Sequence, residues 1–301
     1  MVVFPEFKKV QITDRIIFES VTKNFSPYCD FNFSNVYNWS SPSKPTEFSL
    51  LNGNLVIKMK DFTSNKLIVS ILGKNKILES IKILLGYYDK LTLVPEEVLS
   101  NNPKIFNTFE IEEDINNNDY ILDLQDLVNL KGSRFKSKRA WVHRFENNYP
   151  DHYVRILDVN KKEVLDELVT IFRIWQDNKK LSDDDVRDEF ISLTRFLKVS
   201  NVFKIICVVL YVREKPVGFT INEGLKDGVA NGSFGKSDIN YIGSYQYLEH
   251  ITAKKLIELD YQFLNYEQDL GIKNLRKSKL SWRPVKFLKK YNIGKKFSQV
   301  T

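Results

Sequence analysis

Apolar and polar positions alternate through EFSLLNGNLVIKMK, break at Asn52 and Gly53, and resume in KLIVSIL. A period of two interrupted by Asn-Gly predicts antiparallel strands joined by a tight turn. The aromatic-rich stretch SPYCDFNFSNVYNW just before them reads as strand as well. The period then changes, because NKILESIKILLGYY sets Ile77, Ile81, Leu84 and Leu85 on one helical face. KLTLVP follows as a short strand, and PEEVLSNN as a short helix opened by Pro95.

After NNNDYILDLQDLVNL, the segment KGSRFKSKRAWVHRFENNYP puts Phe135, Val142 and Phe145 on one side and Lys131, Arg134 and Lys138 along an edge. It reads as a charged connecting helix between two halves, with domains expected at 1–135 and 136–301. Two helices come next, one with Leu165, Leu168, Phe172 and Trp175 in register, the other with Val186, Phe190, Leu193 and Leu197. KIICVVLYV and PVGFTINE flank the turn REKP as a hairpin, and GVANGSFGKS is a third strand. GSYQYLEHITAKKLIELDY is a helix with an apolar face of Tyr245, Leu248, Ile251, Leu256 and Leu259; QFLNYEQD is a strand, IKNLRKSKL a short helix and VKFLKKYNI a last strand. This order resembles an N-acetyltransferase-like (GNAT) domain, in which two neighbouring strands splay before the N-terminus of a helix.

At 301 residues the chain is long enough for two domains of ordinary size. Two cysteines, Cys29 and Cys207, and three histidines show no metal-ligand spacing, so neither a disulfide framework nor a metal site is expected. The N-terminus lacks a basic lead before a long apolar core, and no stretch approaches eighteen consecutive apolar residues, so the expectation is a cytoplasmic protein. The net charge of +7 is uneven: residues 131–144 carry six basic and no acidic side chains, residues 271–301 carry ten and none, and the remainder is acidic. Two basic islands on an acidic body are either solvated faces or a field for an anionic partner, such as tRNA or an anionic membrane surface or lipid headgroup.

Several stretches together resemble the C-terminal domain family of phosphatidylglycerol lysyltransferases: YCDFNFSNVYNW, NDYILDLQDLVNLKGSRFKSKR and above all FLNYEQDLGIKNLRKSKLSWRP. Asn265, Glu267, Gln268, Asp269, Gly271, Leu275, Arg276, Lys277 and Lys279 all fall on that family's pattern. The resemblance implies an α+β fold of two tandem GNAT-like domains with mixed, mostly antiparallel sheets, and transfer of an aminoacyl group from aminoacyl-tRNA. Two positions depart from the pattern. Arg139 is followed by Ala140 where the family has Asn, and Gly235 precedes Lys236 where the family has an acid.

Glu267 and Asp269 would alternate on a strand and share a face with Asn265, which makes them candidates for a general base. The alternative is that Asp269 caps the next helix and Glu267 pairs with Arg276 or Lys279. Arg276, Lys277 and Lys279, with Lys236, Lys138 and Arg139 from elsewhere, are candidates to bind substrate phosphates. GSFGKS lacks the first glycine of a phosphate loop, since position 230 is Ala. Gly243, Ser244 and Tyr245, opening a helix, are the candidate receivers of a pyrophosphate or a tRNA terminal phosphate. No nucleophile motif surrounds either cysteine, so direct attack in a ternary complex is expected. The donor is aminoacyl-tRNA or an acyl-CoA. The acceptor and the oligomeric state stay open, and a non-catalytic protein binding RNA or anionic membrane through its basic surfaces is the alternative.

Overall fold

The computed structural model describes residues 2–296. In chain order the elements begin with β1 (Lys8–Lys9), α1 (Arg15–Thr22), α2 (Phe33–Asn38), β2 (Glu47–Leu51), β3 (Asn54–Lys60), β4 (Leu67–Leu72) and α3 (Ile77–Tyr87). Then follow β5 (Lys90–Pro95), α4 (Glu96–Ser100), α5 (Lys104–Thr108), β6 (Phe109–Glu113), β7 (Asp119–Asp123), α6 (Leu124–Asn129) and α7 (Lys136–Asn148). The rest are β8 (His152–Leu157), α8 (Lys162–Lys179), α9 (Asp183–Lys198), β9 (Ile205–Val212), β10 (Lys215–Gly224), β11 (Val229–Ser237), α10 (Ser244–Ile257), β12 (Phe263–Asn265), α11 (Lys273–Leu280), β13 (Lys286–Leu288) and β14 (Lys290–Lys295). No helix among the described residues is long and apolar enough to cross a membrane.

The chain divides into two compact units. One runs to Asp119 and takes back Gln268–Arg276 and the segment from Phe287; the other holds Tyr120–Glu267 and Lys277–Lys286. The first break falls at 119/120 rather than 135/136, because β7 pairs with β12 and Leu124, Leu127, Phe135, Val142 and Phe145 of the following helices join the second unit's core. The segment expected to be a charged connector is therefore a core helix of one unit.

In the first unit, β1-β2-β3-β4 form one sheet and β5-β14-β6 another. The β2–β3 turn is the Asn-Gly turn read from the sequence, with Asn52 and Gly53 at φ 53° and 78°, the left-handed values a two-residue hairpin requires. The predicted face of α3 is the buried one. SPYCDFNFSNVYNW is not strand: its first half is turn, and Phe33–Asn38 form α2. Asn32, Ser34 and Asn35 supply side chains that bond to nearby backbone and to one another, which competes with a strand ladder.

In the second unit, the strands run β7-β12-β11-β10-β9-β8 in one mainly antiparallel sheet. β11 and β12 pair in parallel over three positions, ending at Asn231↔Asn265. Beyond that point Tyr266 and Glu267 stay bonded to Tyr120 of β7, while β11 continues along β10 to Ser237. The two strands part. A bulge opposite Ile221 and Asn222 turns β11 just there. Helix α10 is not amphipathic in the expected sense. Tyr247, Leu248, His250, Thr252, Ala253 and Leu256 are buried while Leu259 is exposed, because α6 and α7 cover the side that period alone leaves to solvent.

Candidate functional site

The expected catalytic pair does not form. Strand β12 ends at Asn265, and Glu267, Leu270 and Gly271 all take left-handed backbone, with φ of 56°, 55° and 73°. Residues two apart then no longer share a face, and Glu267 and Asp269 fall in different units. Glu267 accepts Asn231 Nδ2 at 2.9 Å, and its amide donates to Asn265 Oδ1 at 2.8 Å. Asp269 is fully buried and accepts from the Gly271 amide and, bidentately, from Arg276 Nε and Nη2, each at 2.8 Å. Arg276 also donates to Asn116 Oδ1 at 2.7 Å. This carboxylate closes a turn before α11 and locks one arginine, so Arg276 pairs with Asp269 and not, as the alternative reading has it, with Glu267.

Most of the expected phosphate binders are engaged as well. Lys279 is buried and donates to the Tyr266 carbonyl. Arg139 donates to the Leu130 and Gly132 carbonyls and ties down the loop before α7. Lys236 points away from α10, since neighbours along β11 face opposite sides of the sheet; it is buried beside Trp175 at 3.6 Å from the ring centroid and paired with Glu189 at 2.6 Å. Lys277 is exposed. At the α10 entrance Ser244 is buried and donates to the Asp238 carbonyl. A Cβ on Gly243 would lie 2.6 Å from the Trp141 carbonyl of α7. The glycine is therefore needed for close helix packing, and α7 occupies the space beside it.

What does converge is a set of which the sequence pointed to Lys138 and Tyr245 but not to Glu249 or Tyr266. Glu249, on α10, accepts the Tyr266 hydroxyl at 2.7 Å, and Tyr266 stands where β12 leaves β11. Burial pushes the Glu249 carboxyl above the ordinary range, against the Tyr266 hydrogen bond and the charges of Lys138 and Lys279. The same neighbourhood holds the Tyr266 phenol well above its usual value, first by burial and then by the Glu249 charge. Lys138 lies over the Trp282 ring, 4.0 Å from its centroid, and burial lowers its pKa to about 8 against the pull of Glu249. A Cβ on Gly235, the position that departs from the family pattern, would meet Glu249 Oε1 at 3.8 Å. Tyr245, one turn before Glu249, is hydrogen-bonded to the Ser237 backbone and the Trp175 side chain, with its phenol also raised by burial. The available signal was an acid within a helix whose neighbours Leu248 and His250 are both core residues.

Two of the three histidines are held within the second unit. His152 Nε2 meets the Tyr247 hydroxyl at 2.8 Å, and His250 Nδ1 meets the Leu127 carbonyl at 2.8 Å. In the first unit Cys29, Asp30 and Asp119 come together with metal-like donor atoms, but the Lys290 ammonium sits between the two carboxylates, bonded to Asp30 and at 2.6 Å from Asp119. That lysine fills the cation's place.

The basic islands meet. Arg283 Nε reaches the Arg134 carbonyl at 3.5 Å, and Trp282 carries Lys138. Lys131, Arg134, Lys136 and Arg283 are exposed on these stretches, although Arg134 also pairs with Asp126 at 2.6 Å.

The family profile described as phosphatidylglycerol lysyltransferase, C-terminal, matches residues 73–294. No curated protein matches the chain by sequence. Among solved structures, a conserved protein of unknown function from Bacteroides thetaiotaomicron is 26% identical with a TM-score of 0.79, covering 98% of this chain and 100% of that one. The C-terminal domain of a putative lysylphosphatidylglycerol synthetase from Agrobacterium fabrum shares the fold at 13% identity and a TM-score of 0.63, covering 95% and 92%. A tandem GNAT protein from the clavulanic acid biosynthesis pathway superposes at 8% identity and a TM-score of 0.50, covering 98% and 99%. With three quarters of its length matched by the profile and its mostly antiparallel α+β architecture shared with tandem GNAT structures, the chain belongs to the phosphatidylglycerol lysyltransferase C-terminal domain family.

Proposed function

We propose that this protein is an acyltransferase that moves an aminoacyl group from aminoacyl-tRNA to a hydroxyl or amine acceptor by direct attack, with the chemistry in the second unit. The observation that carries this reading is the parting of β11 and β12 beside Glu249, Tyr266 and Lys138. A carboxylate with a raised pKa is matched to proton removal near neutral pH, and an adjacent amine with a pKa of about 8 keeps positive charge available to a developing oxyanion. The meeting of the two basic islands at Arg134 and Arg283 favours a polyanionic donor. An acyl-CoA donor is less well served, because α7 fills the space at Gly243 beside the helix N-terminus that would receive its pyrophosphate.

The test charges total tRNA with a mixture of labelled amino acids and adds either phosphatidylglycerol vesicles or small amines as acceptors, with acetyl-CoA in a parallel reaction. Label passing to lipid or amine supports the reading and identifies the acceptor class. Salt-sensitive tRNA binding without any discharge of label would replace it with a non-catalytic RNA-binding role. Transfer from acetyl-CoA alone would overturn the choice of donor.

A further inference from the structure

We propose that Glu249 is the proton acceptor of the transfer, its carboxylate occupying the space on the α10 side of β11 that Gly235 leaves open. The assignment rests on the acyl-transfer reading above and identifies which residue does its proton work. Three observations lead to it. First, Glu249 stands at the place where β11 and β12 separate, since its partner Tyr266 is the first residue beyond the last paired position. Secondly, its Oε1 lies 3.8 Å from where a Cβ on Gly235 would be, with only the Thr220 methyl, at 3.9 Å, also within contact distance. A side chain on the strand at position 235 would therefore begin within van der Waals contact of this carboxylate. Thirdly, the acids of the Asn265–Asp269 segment have other tasks: Asp269 holds Arg276 and the Gly271 amide, and Glu267 holds Asn231.

The chemistry balances without any further reactant. The Glu249 carboxylate takes the proton from the acceptor's O–H or N–H as the oxygen or nitrogen lone pair bonds to the carbonyl carbon of the aminoacyl ester. The tetrahedral intermediate collapses with cleavage of the bond to the tRNA ribose oxygen, and that oxygen leaves with the proton returned by the Glu249 carboxyl. The acceptor gains an ester or amide, the tRNA regains its hydroxyl, and Glu249 ends as it began. Charged and titratable groups face this carboxyl from every side: Tyr266 at the end of β12, Lys138 from α7, Lys279 from α11 and Tyr245 from α10 itself. Burial of the carboxyl opposes its ionised form, while Tyr266 and the two lysines favour it.

The experiment compares wild type, Glu249→Gln, Tyr266→Phe and the double variant Gly235→Asp with Glu249→Gln, using the pooled labelled aminoacyl-tRNA and the acceptor that wild type prefers. Melting temperatures are measured alongside. Glu249→Gln is expected to lower the transfer rate by about 10²-fold to 10⁴-fold, the range of general-base contributions, with tRNA binding kept. Gly235→Asp is expected to restore at least about tenfold of that loss, because an acid on the strand reaches the same space. Tyr266→Phe removes a hydrogen bond to the ionised form, so the acid limb of the pH–rate profile should move to higher pH. A merely structural Glu249 would yield neither rescue nor a shifted limb. If wild type transfers and Glu249→Gln keeps its rate while folded, the assignment of Glu249 falls and the acyl-transfer reading stands. Should Glu249→Gln lose activity only through unfolding, with no rescue by Gly235→Asp and no shift in the Tyr266→Phe profile, the assignment falls as well. If wild type discharges no donor, the acyl-transfer reading itself is overturned and this assignment with it.

Discussion

Lys290 in the first unit and Lys138 in the second are both buried lysines, and their surroundings push them in opposite directions. Burial of Lys290 would lower its pKa, but Asp119 and Asp30, with Cys29 beside them, hold it well above the ordinary value. Gln268 accepts from the same ammonium at 2.8 Å and donates to Asp30 Oδ1 at 3.2 Å, while the Cys29 amide donates to Asp119 at 2.8 Å. One ammonium cannot neutralise two buried carboxylates, and burial accordingly raises Asp30. Lys138 has an aromatic face and one carboxylate within electrostatic reach, so burial wins and its pKa falls to about 8. The contrast separates two uses of buried charge. A lysine enclosed by carboxylates is a fastening, whereas one left short of counter-charge is poised to respond to an incoming anion.

The harshest way to break this comparison is Lys290→Met. It leaves Asp30 and Asp119 facing each other in a dry interior, and loss of one partner from such a cluster costs about 3–5 kcal/mol. Denaturant unfolding of the first unit should show it. Adding Asp30→Asn and Asp119→Asn should recover much of the loss; a Met variant as stable as wild type would mean that the cluster fastens nothing.

Arg276→Ala comes next. It removes both guanidinium hydrogen bonds from the buried Asp269 carboxylate, a loss of about 1–3 kcal/mol. Arg276→Lys should recover only part, since lysine lacks the fork that spans both carboxylate oxygens. If Arg276→Ala instead leaves the melting temperature alone and weakens donor binding, Arg276 belongs with the substrate and not with the turn.

Lys138 predicts a smaller and pH-dependent effect. Its folded pKa of about 8 lies below the ordinary value of 10.5, so the unfolded chain holds that proton more tightly. The group's contribution to stability is lowest below pH 8 and rises as pH climbs from about 8 toward 10.5. Lys138→Met should flatten this rise and raise the melting temperature at neutral pH while slowing transfer. A melting temperature with the same slope in both proteins over that window would remove Lys138 from the account.

The smallest effect on stability is expected at the exposed junction. Replacing Lys131, Lys136 and Arg283 by Gln should change stability by no more than about 0.5 kcal/mol. Each lost phosphate contact should nevertheless reduce the slope of log affinity for tRNA against log salt by about 1. Unchanged salt dependence would make these side chains a solvated face.

Much of the secondary structure was legible because it is written locally. The Asn52-Gly53 hairpin, the Ile77–Leu85 face of α3, the register of α9 and the β9–β10 hairpin follow from period and turn chemistry within a dozen residues. Local reading failed where side-chain hydrogen bonding outbid strand propensity, at Cys29–Asn38, and where left-handed residues ended a strand early, at Glu267. The expectation for α10 failed for a third reason: two further helices cover it, and period cannot report what lies on a helix's second side.

By itself the sequence determined most element types, the family and the presence of two basic islands, since these reside in composition, spacing and motif. Only the tertiary structure decided what the charges are for. Lys290 lies 261 positions from Cys29, and Lys138, Glu249, Tyr266 and Trp282 come from four separate parts of the chain. Whether a carboxylate is a base, a cap or half of a fastening depends on its desolvation and on the charges within a few ångströms of it, and both are properties of the folded interior that no local stretch of sequence contains.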